Sequence, residues 1–227
     1  GLLNSPGARV QQRTVCGKKR KMLKVLLIVV SCIAGARSFG SLPRDNHCTD
    51  DPYDPYDQLP PVPSFELTSE TITHGGTLAA PQRSAIFGVP DGEDVSPHLA
   101  WTGAPAGTKS YVVTCYDPDA PTVSGFWHWA MYDIPADVLS LPLNAGDKGG
   151  AGIPAGAKML LNDAGFAGFL GAAPPVGHGD HRYMFVVSAL GVDNLPIETS
   201  TSPSVMSFNM FGAGVLGRAR LTATFGR

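Results

Sequence analysis

Residues 111–134 read YVVTCYDPDAPTVSGFWHWAMYDI, two apolar runs separated by an acidic corner that two prolines stiffen. The first run, 111–116, is β-branched and aromatic without polar alternation, the composition of a central strand. The second, 127–134, has the same character. A third run follows at 183–190 (YMFVVSAL) and a shorter one at 221–225, while residues 65–68 start a strand upstream. His74-Gly75-Gly76-Thr77 is a turn. Between residues 139 and 179 lies a Gly/Ala/Pro-rich stretch with little periodicity, and connections of that length inside a domain are packed or functional. Ser202-Pro203 supplies an N-cap followed by proline at the first helical position, which predicts a helix over 204–216. The pattern predicts a mainly β fold, an antiparallel β-sandwich with a C-terminal helix.

The whole chain supports that frame. It has 227 residues, 43% of them hydrophobic and 16% charged, enough to build a packed core. Gly 27 and Pro 20 make up about a fifth of the chain, favouring turns and short strands over a helical bundle. The net charge of −2 hides an asymmetry: eight of the 17 Lys/Arg lie at or before Arg37, where no acid occurs. The remainder carries nine basic against 19 acidic residues, a formal −10. Such a body repels phosphate backbones, so no nucleic-acid partner is expected, although a local anion site needs only a few groups.

The basic cluster KKRKMLK at 18–24 precedes an apolar run over 25–36. That run is shorter than the roughly 20 residues a membrane span needs, and it has the size of a signal-peptide core. Ala34, Gly35, Ala36 and Ser38 mark a cleavage zone, and Met22 is a candidate start. Val29-Val30-Ser31-Cys32 resembles a bacterial lipobox, which would attach the protein to a membrane through a lipidated Cys32. The expectation is an exported protein of the cell envelope or exterior. It comprises a leader at 1–38, a Pro/Asp/Tyr-rich linker or surface arm at 39–63, and a domain at 64–227. Cys48 and Cys115 remain after cleavage; they form a disulfide, or Cys115 is a buried free thiol.

Polar chemistry concentrates at strand ends. Asp117-Pro118-Asp119-Ala120-Pro121 leaves the first apolar run, and the prolines hold both acidic side chains in place. His128 stands between Trp127 and Trp129, one tryptophan expected in the core and the other along a pocket. His181-Arg182 opens the third run, after the loop Pro174-Pro175-Val176-Gly177-His178-Gly179. Convergence of these ends would place two carboxylates, two imidazoles and aromatic walls around one small cavity. Carboxylates that accept imidazole N–H groups orient the rings and favour their charged form. Each histidine taken singly also reads as a satisfied strand residue, DPDAP as a stiff turn, Arg182 as the partner of a structural carboxylate, and His178 as solvated. Nucleophile-elbow, Walker A, H-E-x-x-H and C-x-x-C motifs are absent. Gly212 to Gly217 matches G-x-G-x-x-G but has no acidic residue after it, and it reads as helix packing or capping.

Ser96-Pro97-His98-Leu99-Ala100-Trp101, then YDPDAPTVSGFWHWAMYDIP, then GHGDHRYMFVVSAL together resemble the phosphatidylethanolamine-binding protein family, also called Raf kinase inhibitor-like, its bacterial branch in particular. The resemblance covers roughly residues 63–227. It implies a large antiparallel sheet packed on a smaller one with a C-terminal helix. It also implies a pocket for phosphate-like anions and phospholipid head groups such as phosphoethanolamine. By motif, that pocket would comprise Asp117, Asp119, His128 and His181, with Tyr183 nearby, Phe126 or Trp127 as an aromatic wall, and the loop 174–179 as rim. The basic insert of the eukaryotic branch is reduced here to residues 122–125, so no kinase partner is implied.

Three function classes follow. The leading expectation is a non-enzymatic binder of phosphate or a phosphoethanolamine-type ligand, with no cofactor. A protease-inhibitor or partner-binding module acting through surface loops is the second. A metal-dependent enzyme is the third, since two histidines and two carboxylates can hold a divalent cation. Ser124 lacks the frame of a hydrolase nucleophile. A homodimer remains open.

Overall fold

The apolar runs become the inner strands of a five-stranded antiparallel sheet in a computed structural model, which describes residues 53–227. In chain order the strands are β1 (Glu66–Thr68), β2 (Leu99–Thr102), β3 (Ser110–Asp117), β4 (Phe126–Pro135), β5 (Ser140–Leu141), β6 (Lys158–Met159) and β7 (His181–Leu190). The helix α1 (Pro203–Ala213) and strand β8 (Val215–Phe225) follow. The large sheet runs β6-β4-β3-β7-β8, and a three-stranded sheet runs β1-β2-β5. The expected large-on-small antiparallel arrangement is therefore present, with β3 at the centre of the large sheet.

Each face of the large sheet buries its own apolar set, because side chains alternate across a strand. One face carries Val113, Cys115, Trp129, Phe185 and Leu221 against Leu99 and Trp101 of the small sheet. The other carries Val112, Ala130, Tyr132 and Leu190 against Met206 and Met210 of α1. Fully burying one such large side chain contributes about 1.5–3 kcal/mol. Cys115 is a free thiol with no exposed surface, and that burial pushes its pKa up. Cys48 and the leader lie outside the described residues.

Three local expectations change. The helix ends at Ala213, not at 216: Gly214, with φ 81°, caps it through its N–H to the Phe211 carbonyl, and Val215 already starts β8. That strand is 11 residues long rather than a short final run, and it pairs with β7 along its length. The long Gly/Ala/Pro-rich stretch contains two two-residue strands, β5 and β6, which close the edges of the two sheets.

The pairing of β3 with β4 positions the site. Cys115 stands opposite Trp129 and Tyr116 opposite Trp127, so His128 is an extra residue, a β-bulge. Residues two apart in a regular strand share a face, so without the bulge both tryptophans would point the same way. With it, Trp129 enters the core against Phe169 at 6.0 Å, while Trp127 stacks on Tyr116 at 4.5 Å on the opposite face.

On that opposite face lies the Asp- and Tyr-rich arm. Asp54 caps a short turn at Pro55–Gln58 by accepting from the Tyr56 N–H at 2.8 Å. Arg220 of β8 donates to Asp54 at 3.0 Å and Asp57 at 3.3 Å, and Arg182 of β7 donates to the Tyr53 carbonyl at 3.0 Å.

Candidate functional site

Strand ends of the large sheet meet at a cavity of about 230 Å³. Asp117 at the end of β3, Phe126 and His128 at the start of β4, and His181 and Tyr183 at the start of β7 all line it. Ala120, Pro121 and Thr122 of the corner form one side, and Ala173, Pro174 and Pro175 with Phe87 form the other. Apart from Asp117, the two imidazoles and the hydroxyls of Thr122 and Tyr183, these side chains are apolar, and no Lys or Arg is among them.

Asp117 is 2% exposed and His181 1%. The His181 Nδ1–H donates to the Asp117 carboxylate at 2.7 Å. The carboxylate also accepts the Asp119 N–H at 2.8 Å, the turn bond that fixes the corner. On its far side, His181 Nε2 lies 2.8 Å from His178 Nδ1. His128 is 5% exposed, and its Nδ1–H donates to the Leu170 carbonyl at 2.9 Å. Burial lowers its pKa, with the Leu170 carbonyl and Asp117 opposing in part, so the ring is neutral and Nε2 keeps a lone pair. Its ring is 4.9 Å from Phe126 and 5.1 Å from Tyr183, edge to face with the latter. The Tyr183 hydroxyl is buried with no hydrogen-bond partner among the described residues. Burial and the nearby Asp117 push its pKa far up, which keeps it a proton donor.

Two expected members lie elsewhere. Asp119 does not line the cavity; it turns to Arg182 and accepts a fork, Nε at 2.8 Å and an Nη at 2.7 Å, plus the Arg182 backbone N–H at 2.9 Å. Partial burial opposes ionisation, but those hydrogen bonds outweigh it and hold the Asp119 carboxyl below the usual carboxylate range. Trp127 is turned away by the bulge, leaving Phe126 as the aromatic wall. Ser124 also lies outside the lining, its carbonyl accepting the Tyr116 hydroxyl at 2.7 Å.

His178 joins the constellation although the sequence reads it as a solvated loop residue. It is exposed, yet one ring nitrogen is committed to His181. The signal in the sequence is its spacing of three residues before His181, across a turn with glycines at φ 79° and 91° on either side of it. The rim is tied down by Arg227, which donates to the Pro174 carbonyl at 2.5 Å and whose own carbonyl accepts the Gly177 N–H at 2.6 Å.

Among the described residues, no three His, Cys, Asp or Glu groups converge in an arrangement able to hold a metal ion. No helix among them is long and apolar enough to cross a membrane. A larger cavity of about 290 Å³ lies between the arm and β8 around Tyr56 and Arg218, away from the imidazoles.

Comparisons with known proteins agree on one family. The family model described as phosphatidylethanolamine-binding protein matches residues 68–226. The UPF0098 protein YbcL of Escherichia coli is 42% identical over 162 residues, spanning 71% of this chain and 87% of that protein. UPF0098 protein YbhB of the same organism is 44% identical, spanning 71% of this chain and 99% of its own. The crystal structure of YbcL, titled a new member of the mammalian PEBP family, superposes with a TM-score of 0.69 at 41% identity. It covers 72% of this chain and 99% of that one. A Mycobacterium tuberculosis protein named as a lipoprotein, LppC, is 30% identical over 138 residues, spanning 59% of this chain and 61% of its own.

Proposed function

The chain belongs to the phosphatidylethanolamine-binding protein family, and we propose that it binds a small phosphoryl-type anion, free or as a phospholipid head group, and does not turn it over. One observation carries the reading: Asp117, His128, His181 and the Tyr183 hydroxyl meet at one cavity with otherwise mostly apolar walls. The Tyr183 hydroxyl is a buried donor in want of an acceptor, and an anionic oxygen is a strong one. The neutral His128 offers a lone pair that accepts a phosphoryl O–H. Dry walls strengthen both contacts, because the local dielectric is low. Phe126 and the prolines give the non-polar part of a head group a surface to lie on.

Binding rather than catalysis fits the chemistry in the cavity. No serine or cysteine lines it, Ser124 being outside and the Thr122 hydroxyl donating to the Gly125 carbonyl, and the Tyr183 phenol, held protonated by burial, is a donor rather than a nucleophile. The basic and apolar leader supports export to the envelope or beyond; processing at Cys32 is the alternative to cleavage near Ala36, and the lipoprotein name of LppC favours that alternative.

The test is titration with inorganic phosphate and with phosphoethanolamine, followed by imidazole NMR signals and by calorimetry. Saturable binding that moves the His128 and His181 resonances is expected. His128→Ala is expected to weaken it about tenfold or more, the loss of one buried hydrogen bond to a charged group. Unchanged affinity in that variant would overturn the reading.

A further inference from the structure

The cavity lacks something an anion needs. Its lining contains one carboxylate and no Lys or Arg, so a bound phosphoryl group would sit beside Asp117 with no fixed positive charge to balance either. Arg227 at the rim is committed to the Pro174 carbonyl, so the charge that can be added inside is a proton on an imidazole. His128 is a poor recipient, since it is buried and its burial disfavours the charged form. His181 is equally enclosed, at 1% exposure, and both of its ring nitrogens are committed. Its Nδ1–H is held by Asp117 at 2.7 Å and its Nε2 faces His178 Nδ1 at 2.8 Å. The line Asp117–His181–His178 therefore runs from the buried strand end to an exposed ring in the loop at 177–179.

We propose that His178 is the proton port of the anion site, a positioning residue that makes the His178–His181 pair cationic when the ligand binds. This inference rests on the reading of the cavity as a phosphoryl site. The bookkeeping is simple. With Nδ1–H of His181 given to Asp117, its Nε2 accepts Nδ1–H from His178, and the outer Nε2 of His178 carries a lone pair. One proton from water adds to that outer nitrogen. The N–H between the rings can then lie on either one, so the positive charge spreads to His181, which lines the cavity. Solvation makes the exposed ring the cheapest place to accept it. The charged neighbours are Asp117 from β3, Asp119 with its partner Arg182 at the corner, His128 from β4, Asp180 in the same loop, and Arg227 at the rim. Asp117 is the carboxylate in direct contact with the pair.

Inorganic phosphate and phosphoethanolamine are titrated separately into the full chain and into His178→Gln, which keeps polarity but does not titrate. Calorimetry in buffers of different ionisation enthalpy counts the protons taken up. For the wild type, affinity falls as pH rises from about 6 to about 8, approaching one proton per ligand. His178→Gln is expected to bind about tenfold more weakly near pH 6, to match the wild type near pH 8, and to lose most of the proton uptake. A headgroup-specific effect appears with phosphoethanolamine alone, and a general phosphoryl effect with both. A readout without ligand is the His181 imidazole ¹⁵N titration, which is expected to change in His178→Gln and in His178→Ala alike. If the wild type binds and His178→Gln reproduces its affinity, pH slope and proton count, the port is refuted while the anion site stands. If the wild type binds neither probe, both fall together.

Discussion

Two carboxylates leave the same corner and meet opposite fates. Asp117 and Asp119 are two residues apart, held by the same two prolines, yet Asp117 is buried against His181 and Asp119 is half-open against Arg182. The first faces a cavity whose polar groups are short, neutral and few. The second belongs to a clamp between the corner, β7 and the arm, since Arg182 also donates to the Tyr53 carbonyl. What separates them is the partner rather than the acid: an imidazole can carry or release a proton near neutral pH, whereas a guanidinium cannot. A carboxylate opposite arginine is structural; a carboxylate opposite histidine sets a charge that can change.

The contrast breaks most sharply at the buried end. Asp117→Ala leaves the His181 Nδ1–H without an acceptor and is expected to lower unfolding free energy by about 3 kcal/mol, the scale for breaking a buried pair. Denaturant unfolding measures this, and phosphate binding is expected to vanish in the same variant. Asp119→Ala opens the Arg182 fork at a partly exposed site and is expected to lower stability by about 1 kcal/mol, with ligand affinity nearly unchanged. An Asp119 variant that lost affinity as severely as the Asp117 variant would erase the distinction between the two regions. The smallest effect is in pH. Burial lowers the His128 pKa, so the unfolded chain takes a proton there more readily than the folded one. The stability linked to this ring is intact above the unfolded value near 6.5 and is lost as pH falls below it toward the lower folded value. Denaturant midpoints compared across that window are expected to drop toward acid, and His128→Gln is expected to flatten the drop.

Much of this fold is legible in the sequence because its central strands are buried on both faces. YVVTCY and YMFVVSAL carry no competing helical period, and they became β3 and β7. The edges were harder. β5 and β6 have two residues each, too few for any pattern, and are made by pairing with β2 and β4. In 215–225 a strand period exists, with Gly217, Ala219, Leu221, Ala223 and Phe225 alternating with Arg218, Arg220, Thr222 and Thr224, but the preceding helix signal runs into it until Gly214 stops it. Within the site, strand-end motifs bring up Asp117, His128 and His181, and the family resemblance adds Phe126 and Tyr183. They cannot tell which way Asp119 turns, because that depends on an arginine one strand away. Nor do they reveal the bulge at His128, which depends on register with β3.

That bulge also decides how the molecule can be watched. Trp101 and Trp129 are sealed between the sheets and Trp127 is carried to the far side, so no indole borders the cavity. Intrinsic fluorescence will follow melting of the sandwich and stay nearly blind to occupancy of the site, which makes a tryptophan placed at Phe126 the natural optical reporter.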